Sequence, residues 1–152
     1  MSGSQIPAVR SWMKTNYQAA ATATPVTGRS LKVWDGPQSE DTSFDQLSIS
    51  AASRTVEPFT LRGGFSAAGS LREMATVDLT LTAFGAGGED PEVVLERAYQ
   101  WLALIEATTD ADPTLGGLVD VAWLSESTDA TDMQPQGWVV EITARVAFRA
   151  EN

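Results

Sequence analysis

The sequence predicts an α+β domain with a mixed, mostly antiparallel sheet of about five strands and two helices packed on one face. Two segments, 5–22 and 91–108, have apolar residues at helical spacing. The remaining apolar segments alternate with polar residues, as half-buried strands do. Strand segments follow one another more often than a helix separates them, which favours antiparallel pairing.

Local signals support both helices. Ser4 precedes the first helix as the predicted N-cap, and Pro7 lies in its first turn, where a missing N–H is harmless. Asp90 is the predicted capping carboxylate of the second helix, with Pro91 at its first position and Glu92 in its first turn. We therefore expect two well-defined helices with wide apolar faces.

The strands are less uniform in their signals, and two segments between them lack any clear pattern. Residues 52–70 are predicted to be an irregular β-rich excursion, because prolines and glycines interrupt the apolar residues. Residues 126–137 are predicted to be a polar loop. The whole chain, 1–152, is predicted to be a single domain. Strands are predicted at 30–34, 46–51, 77–84, 118–125 and 138–149.

Composition excludes several classes of chemistry. The chain has no cysteine and no histidine, which removes disulfides, thiolate nucleophiles, zinc sites built on those ligands and Ser-His-Asp triads. No apolar run approaches the roughly 18 residues that span a bilayer, so we expect no membrane partner.

Charge is distributed unevenly along the chain. The net charge is −10. Residues 1–76 carry seven basic and six acidic residues, whereas residues 77–152 carry three basic and fourteen acidic residues. This balance argues against binding to DNA phosphates by counterion release. It fits either a solvated acidic surface or a surface that meets a polyanion without adhering to it.

The glycine-rich and acidic loops do not carry a convincing chemical motif. Gly85–Gly88 joins a strand to a helix, as phosphate-binding loops do, but no lysine follows and Glu89 and Asp90 would repel a phosphate. A loop that opens at Asp110 lacks the glycine and glutamate of an EF-hand. We therefore predict no catalytic, cofactor-binding or metal-binding residue, and a protein that is not an enzyme.

The five tryptophans divide into two groups. Trp12, Trp101 and Trp123 lie on apolar faces and are predicted to be core residues. Trp34 lies on the polar face of its strand, and Trp138 opens a strand after a polar loop. Exposed aromatic residues favour protein contacts, so Trp34 and Trp138 are candidate interface residues. The alternative is that they pack beneath a loop.

Two short segments and the order of elements carry a family resemblance. One is Trp34-Asp35-Gly36-Pro37, which ends the first strand, and the other is Asp112-Pro113-Thr114-Leu115-Gly116-Gly117, after the second helix. With an acidic-capped helix and a last strand that opens at Gly137-Trp138, this order resembles the tail terminator proteins of long-tailed phages of actinobacteria. The resemblance covers nearly the whole chain.

The resemblance implies a structural virion protein that forms a hexameric ring at the head-proximal end of the phage tail tube. Such a ring stops tube polymerisation and joins the tail tube protein to the head-completion or stopper protein, and double-stranded DNA passes through its channel without specific binding. The implied location is the neck of the virion, after assembly in the host cytoplasm. Gly116 and Gly117 would then be tight-turn residues.

Other functions remain open at the level of the sequence. A head-closure or stopper protein, or a tail-tube subunit, would also be a virion structural protein. A small acidic module that binds a basic partner belongs to a different class. The mildly basic first half and the acidic second half would suit the unlike patches of a closed ring.

Overall fold

Two helices and five strands make up the described part of the chain, which covers residues 3–26, 28–58 and 71–151 of a computed structural model. The elements in chain order are α1 (Ile6–Ala23), β1 (Leu31–Asp35), β2 (Asp45–Pro58), β3 (Leu71–Phe84), α2 (Pro91–Ala111), β4 (Val121–Gln134) and β5 (Gly137–Glu151).

The strands form one five-stranded sheet in the order β1-β2-β3-β5-β4. β1 runs parallel to β2, and the other three pairs are antiparallel. The predicted α+β fold, with a mixed and mostly antiparallel sheet, is confirmed. β4 and β5 form a hairpin that closes between Gln134 and Gly137.

The core lies between the sheet and the two helices. In β3, Leu79 and Leu81 are buried, whereas Thr80 between them points to the opposite face and is half-exposed. The register pairs Leu79 with Ala144 and Leu81 with Ile142, so the apolar sides of β3 and β5 share the helix-covered face. The helices contribute the buried side chains of Val9, Met13, Tyr17, Val94, Ala98, Trp101 and Ile105.

The start of α1 is held by a residue from the sheet. Gln5 rather than the predicted Ser4 is the N-cap residue, and its side chain makes no capping hydrogen bond. Ser4 Oγ instead accepts a bond from the Ile6 N–H at 3.0 Å and donates to Glu73 Oε2 at 2.6 Å. The Gln5 N–H donates to Glu73 Oε1 at 2.9 Å. A buried carboxylate of β3 therefore occupies the positive end of this helix.

α2 has the predicted start and extends past its predicted end. Asp90 is the N-cap residue, but its carboxylate makes no capping bond. The Asp90 carbonyl accepts from the Val93 N–H at 3.1 Å. The helix continues beyond residue 108 to Ala111, because Thr109 is buried and shares a hydrogen bond of 2.7 Å with the Tyr17 hydroxyl of α1.

Of the irregular β-rich excursion predicted over 52–70, residues 52–58 are strand and continue β2. Residues 59–70 lie outside the described residues. A register shift between Ile49 and Ala52 bulges the strand, and pairing with β3 then runs to Pro58 opposite Leu71. Side chains 51–57 are all exposed. Backbone pairing with β3, rather than burial of apolar side chains, forms this part of the strand, so no apolar alternation marks it in the sequence.

The same reason explains the error in β4. The predicted strand at 118–125 begins instead at Val121, and most of the predicted polar loop at 126–137 is strand as far as Gln134. Side chains 125–134 are exposed on both faces. β5, whose apolar alternation is strong, supplies the partner backbone along the whole length.

Candidate assembly surfaces

Trp34-Asp35-Gly36-Pro37 forms the corner where β1 ends against α1 and β2. Arg10 of α1 donates to Asp35 Oδ1 through Nε at 2.9 Å and through Nη2 at 2.6 Å, and it also donates to the carbonyl of Ile49 at 2.8 Å. The Gly36 N–H donates to the same Ile49 carbonyl at 3.0 Å. Gly36 has a φ of +122°, which favours glycine at this corner.

Trp34 is half-buried, and its indole belongs to a polar network beneath the loop that follows β1. Trp34 Nε1 donates to Gln46 Oε1 at 3.0 Å, as does the Ser39 N–H at 2.8 Å. Gln46 is buried, and its Nε2 donates to the carbonyls of Ser39 and Asp41 at 2.9 and 2.8 Å. Trp34 thus helps to hold the 38–44 loop on the sheet.

The segment Asp112–Gly117 is a capped turn between α2 and β4. Asp112 Oδ2 accepts from the Gly116 N–H at 2.9 Å, and Asp112 Oδ1 accepts from Thr114 Oγ1 at 3.1 Å. Gly116 and Gly117 have φ of +70° and +86°, and the buried Leu115 has φ of +50°. Three successive left-handed residues reverse the chain, and Leu115 fastens the reversal to the core.

α1 contacts both segments that carry the sequence resemblance. Arg10 binds Asp35, and the Trp12 indole lies against Gly116, where a Cβ atom would be 3.5 Å from the ring. The two segments are therefore structural corners, one after β1 and one after α2, and both are held by α1.

The candidate interface tryptophans are both half-buried, and a different tryptophan is exposed. Trp138 packs against the core, and its carbonyl accepts from the buried Gly85 N–H at 2.7 Å. Trp101 is buried and Trp12 is half-buried. Trp123 was predicted to be a core residue, and this is wrong: it is 39% exposed.

Trp123 is exposed because it lies on the sheet face that carries no helix. It pairs with Ala147, which in turn pairs with Thr76, and these residues point away from the core. This face, called the outer face, bears a shallow groove of about 220 Å³. Met74, 37% exposed, lies one row away. The groove is lined by Ser53, Arg54, Thr55, Met74, Ala75, Thr76, Trp123, Ala147 and Phe148.

A buried ion-pair network, which the sequence interpretation missed, joins α2 to the sheet. Asp45 Oδ2 accepts from Arg97 Nε at 2.8 Å and from Trp101 Nε1 at 2.9 Å, and Asp45 Oδ1 accepts from the Phe84 N–H at 3.0 Å. Arg97 also reaches Glu89 Oε2 at 3.0 Å. The side chains of Arg97 and Asp45 are 1% and 0% exposed. The available signal was Arg97 itself, a charge on the apolar stripe of α2.

The other buried titratable groups are also engaged in holding elements together. Burial raises the pKa of Tyr17 to about 12, outweighing its bond to Thr109. Burial also raises the pKa of Glu73, but hydrogen bonds from Ser4, the Gln5 N–H and Arg54 outweigh this effect and leave the Glu73 pKa below its ordinary value. Neither group is poised near neutral pH for proton transfer.

Within residues 3–26, 28–58 and 71–151, no three Asp or Glu side chains are grouped so as to hold a metal ion. Neither of the helices in that part of the chain is long and apolar enough to cross a membrane.

The chain has a distant structural likeness to a solved virion structure. No protein-family model and no curated protein matches this chain. The chain is similar to a chain in a structure described as the virion of a native gene transfer agent (GTA) particle, with 10% sequence identity and a TM-score of 0.46. The alignment covers 95% of this chain and 98% of that chain.

Proposed function

We propose that this chain is a virion structural protein of a long-tailed phage, and specifically the tail terminator. In this role, copies of the chain form a hexameric ring on the head-proximal end of the tail tube. The ring stops tube polymerisation and presents a surface to the head-completion protein. The chain performs no catalysis in this role.

The observation that carries the proposal is the apolar exposure on the outer face of the sheet. Trp123 and Met74 are both more than a third exposed, on a face that no helix covers within the described chain. Tryptophan and methionine are enriched in protein–protein interfaces, and an exposed pair beside a groove marks a surface for a macromolecular partner. A ring subunit needs two such surfaces.

The sequence resemblance narrows the partner class to phage tail components. The segments 34–37 and 112–117, on which that resemblance depends, are the two corners held by α1. Segments of this kind preserve a scaffold, because left-handed backbone and a buried corner restrict the residues that fit. A shared scaffold therefore supports the assignment to the terminator family.

The charge of the chain suits a ring through which DNA slides. Carboxylates dominate the solvent side of α2 and the exposed part of β4. We propose that part of this acidic surface faces the channel, where it repels DNA phosphates and prevents adhesion. The exposed carboxylates of these two elements are Glu92, Glu96, Glu106, Asp110, Glu126, Asp129 and Asp132.

Electron microscopy of the purified protein, alone and mixed with polymerised tube protein of a long-tailed actinobacteriophage, tests this function. We expect rings with sixfold symmetry, and rings that cap one end of each tube. Tubes with none of this protein bound at either end would contradict the terminator role. Growth of the protein itself into long tubes would instead identify a tube subunit.

A further inference from the structure

The outer face carries an apolar patch with a cation beside it. Met74 and Trp123 are exposed there, and Arg149 pairs with Met74 across the β3–β5 ladder and with Val121 across the β4–β5 ladder. Arg149 is exposed. Trp, Met and Arg together are the residue types that dominate binding energy at protein interfaces. We call Met74, Trp123 and Arg149 the outer-face patch.

The opposite side of the molecule carries a concave apolar surface with acidic ends. A shallow groove of about 480 Å³ lies between α2 and the segment after α1, lined mainly by Pro25, Val26, Ala103 and Leu104. Glu96 and Glu106 are exposed, and each lies one helical turn from a residue that lines the groove, Gln100 and Ala103 respectively. We call this surface the helix-side groove.

The two surfaces are both apolar, and they are complementary in charge. One presents exposed apolar side chains beside a guanidinium, and the other presents an apolar hollow between carboxylates. Short side chains such as Ala103 let a neighbouring sheet approach the helix closely. Electrostatic complementarity of this kind sets the register of an interface and disfavours wrong partners.

We infer, on the basis of the proposed ring function, that the outer-face patch of one copy binds the helix-side groove of a second copy. The patch and the groove lie on opposite faces of the sheet, so one molecule cannot satisfy its own pair. Each copy therefore binds a neighbour on either side, head to tail. A contact between unlike patches builds a ring when its rotation closes.

Contact between two outer-face patches is disfavoured by the same charges. Two-fold packing of this face on itself would bring Arg149 of one copy towards Arg149 of the other. The nearest exposed carboxylate on the same face of β5, Glu151, lies in the next row and is already paired with Arg72 at 3.4 Å. The acidic groove of a second copy supplies the opposite charge, and this is why we favour the head-to-tail arrangement.

Charge exchange between two variants tests the inference by native mass and light scattering at low salt. Arg149→Glu alone and Glu106→Arg alone each place like charges at the interface, so each is expected to lose at least tenfold in apparent association constant. An equimolar mixture restores every interface in an alternating assembly, and the oligomer is expected to return. Glu40→Arg, in the exposed loop after β1, is the control with the same change in charge as Glu106→Arg and should assemble like wild type.

Because the chain has no cysteine, site-specific disulfides give a second readout. Thr55→Cys lies on the outer-face groove and Ala103→Cys on the helix-side groove. Oxidation of a mixture of these two variants should yield a disulfide-linked heterodimer of one Thr55→Cys chain and one Ala103→Cys chain. Neither variant alone should yield a dimer. Circular dichroism checks that all variants are folded.

The outcomes separate this inference from the proposed function. Rings that form without the heterodimer, or that survive Arg149→Glu, would overturn the head-to-tail interface and leave the terminator function standing. Dimers of Thr55→Cys alone would show that the outer face packs on itself. A protein that stays monomeric at high concentration and low salt would overturn both the interface and the ring.

Discussion

Glu73 shows how a single buried residue joins three parts of this chain. Its carboxylate accepts hydrogen bonds from Ser4 Oγ and the Gln5 N–H at the start of α1. It also accepts a hydrogen bond from Arg54 Nη1 of β2 at 2.9 Å. A helix N-terminus leaves its first N–H groups without partners, and here a sheet residue supplies the acceptor. Since the bonds favour the ionised form, the folded-state pKa of Glu73 lies below its ordinary value.

We predict that Glu73→Gln lowers the free energy of unfolding at pH 7 by about 2 kcal/mol, because charge-assisted bonds become neutral in a buried setting. A lowered folded-state pKa stabilises the fold above the unfolded pKa of about 4.3, and this contribution is lost as pH falls through the folded pKa. The difference between wild type and variant should therefore shrink on acidification.

Urea unfolding between pH 7 and pH 3 measures this difference. Glu40→Gln, at an exposed position of the 38–44 loop, is the matched control and should change stability by less than about 0.5 kcal/mol. A gap between Glu73→Gln and wild type that stays constant across this pH range would contradict the role of the ionised carboxylate.

At the scale of elements, the two edges of the sheet are finished differently. At β1, the Gln18 side chain of α1 supplies the hydrogen bonds that a neighbouring strand would supply. Its Nε2 donates to the Leu31 carbonyl at 2.9 Å, and its Oε1 accepts from the Val33 N–H at 2.9 Å. At β4, the exposed residues 125–134 include Glu126, Asp129 and Asp132. Charged residues on an edge strand discourage uncontrolled pairing with another chain.

We predict that Gln18→Leu loosens β1 and lowers the free energy of unfolding by about 1–2 kcal/mol, because it leaves a strand N–H and carbonyl without partners. Hydrogen exchange at the Val33 amide should accelerate more than exchange in β3. Ser11→Ala, on the exposed side of the same helix, is the control and should leave both measurements near wild type. Unchanged protection of Val33 would contradict this account of the edge.

At the scale of the whole molecule, most of the described basic residues take part in internal ion pairs. Six arginines form salt bridges, namely Arg10, Arg29, Arg54, Arg72, Arg97 and Arg145. Most of the exposed carboxylates of α2 and β4 have no such partner among the described residues. These unpaired carboxylates therefore account for much of the net charge of −10.

We predict that the assembled protein does not bind duplex DNA, even at low salt where counterion release favours binding most. Fluorescence anisotropy of a labelled duplex, titrated with protein at about 20 mM salt, measures this. A variant with Glu92 and Asp110 changed to lysine should gain salt-sensitive binding, since these exposed positions then attract phosphates. Tight binding by the wild-type protein would contradict a repelling channel.

The elements with strong periodicity were predictable from the sequence, and the weakly patterned ones were not. α2 and β5 bury apolar residues at regular intervals, so the spacing of apolar residues in the sequence predicts both elements. Residues 52–57 of β2 and residues 126–134 of β4 bury no side chain. These parts are strands because a neighbouring strand supplies hydrogen bonds, and a single sequence does not reveal which backbone lies alongside.

The candidate assembly surfaces were also predictable only in part from the sequence. The corners at 34–37 and 112–117 were identifiable as short segments, because glycine and proline mark tight turns locally. The exposure of Trp123 was not identifiable, since its apolar neighbours in the sequence suggest a core position. Only the register of β4 on β5, with Trp123 opposite Ala147, assigns it to the outer face.

The sequence by itself therefore determined the fold class, the helices, the strongest strands and the acidic character of the chain. These depend on composition and on periodicities within one element. The tertiary structure decided which carboxylates are buried and which tryptophan faces solvent, and it assigned the apolar surfaces to opposite sides of the sheet. Those properties depend on strand register and on contacts between distant residues, such as Ser4 with Glu73 and Asp45 with Arg97, and no local pattern encodes them.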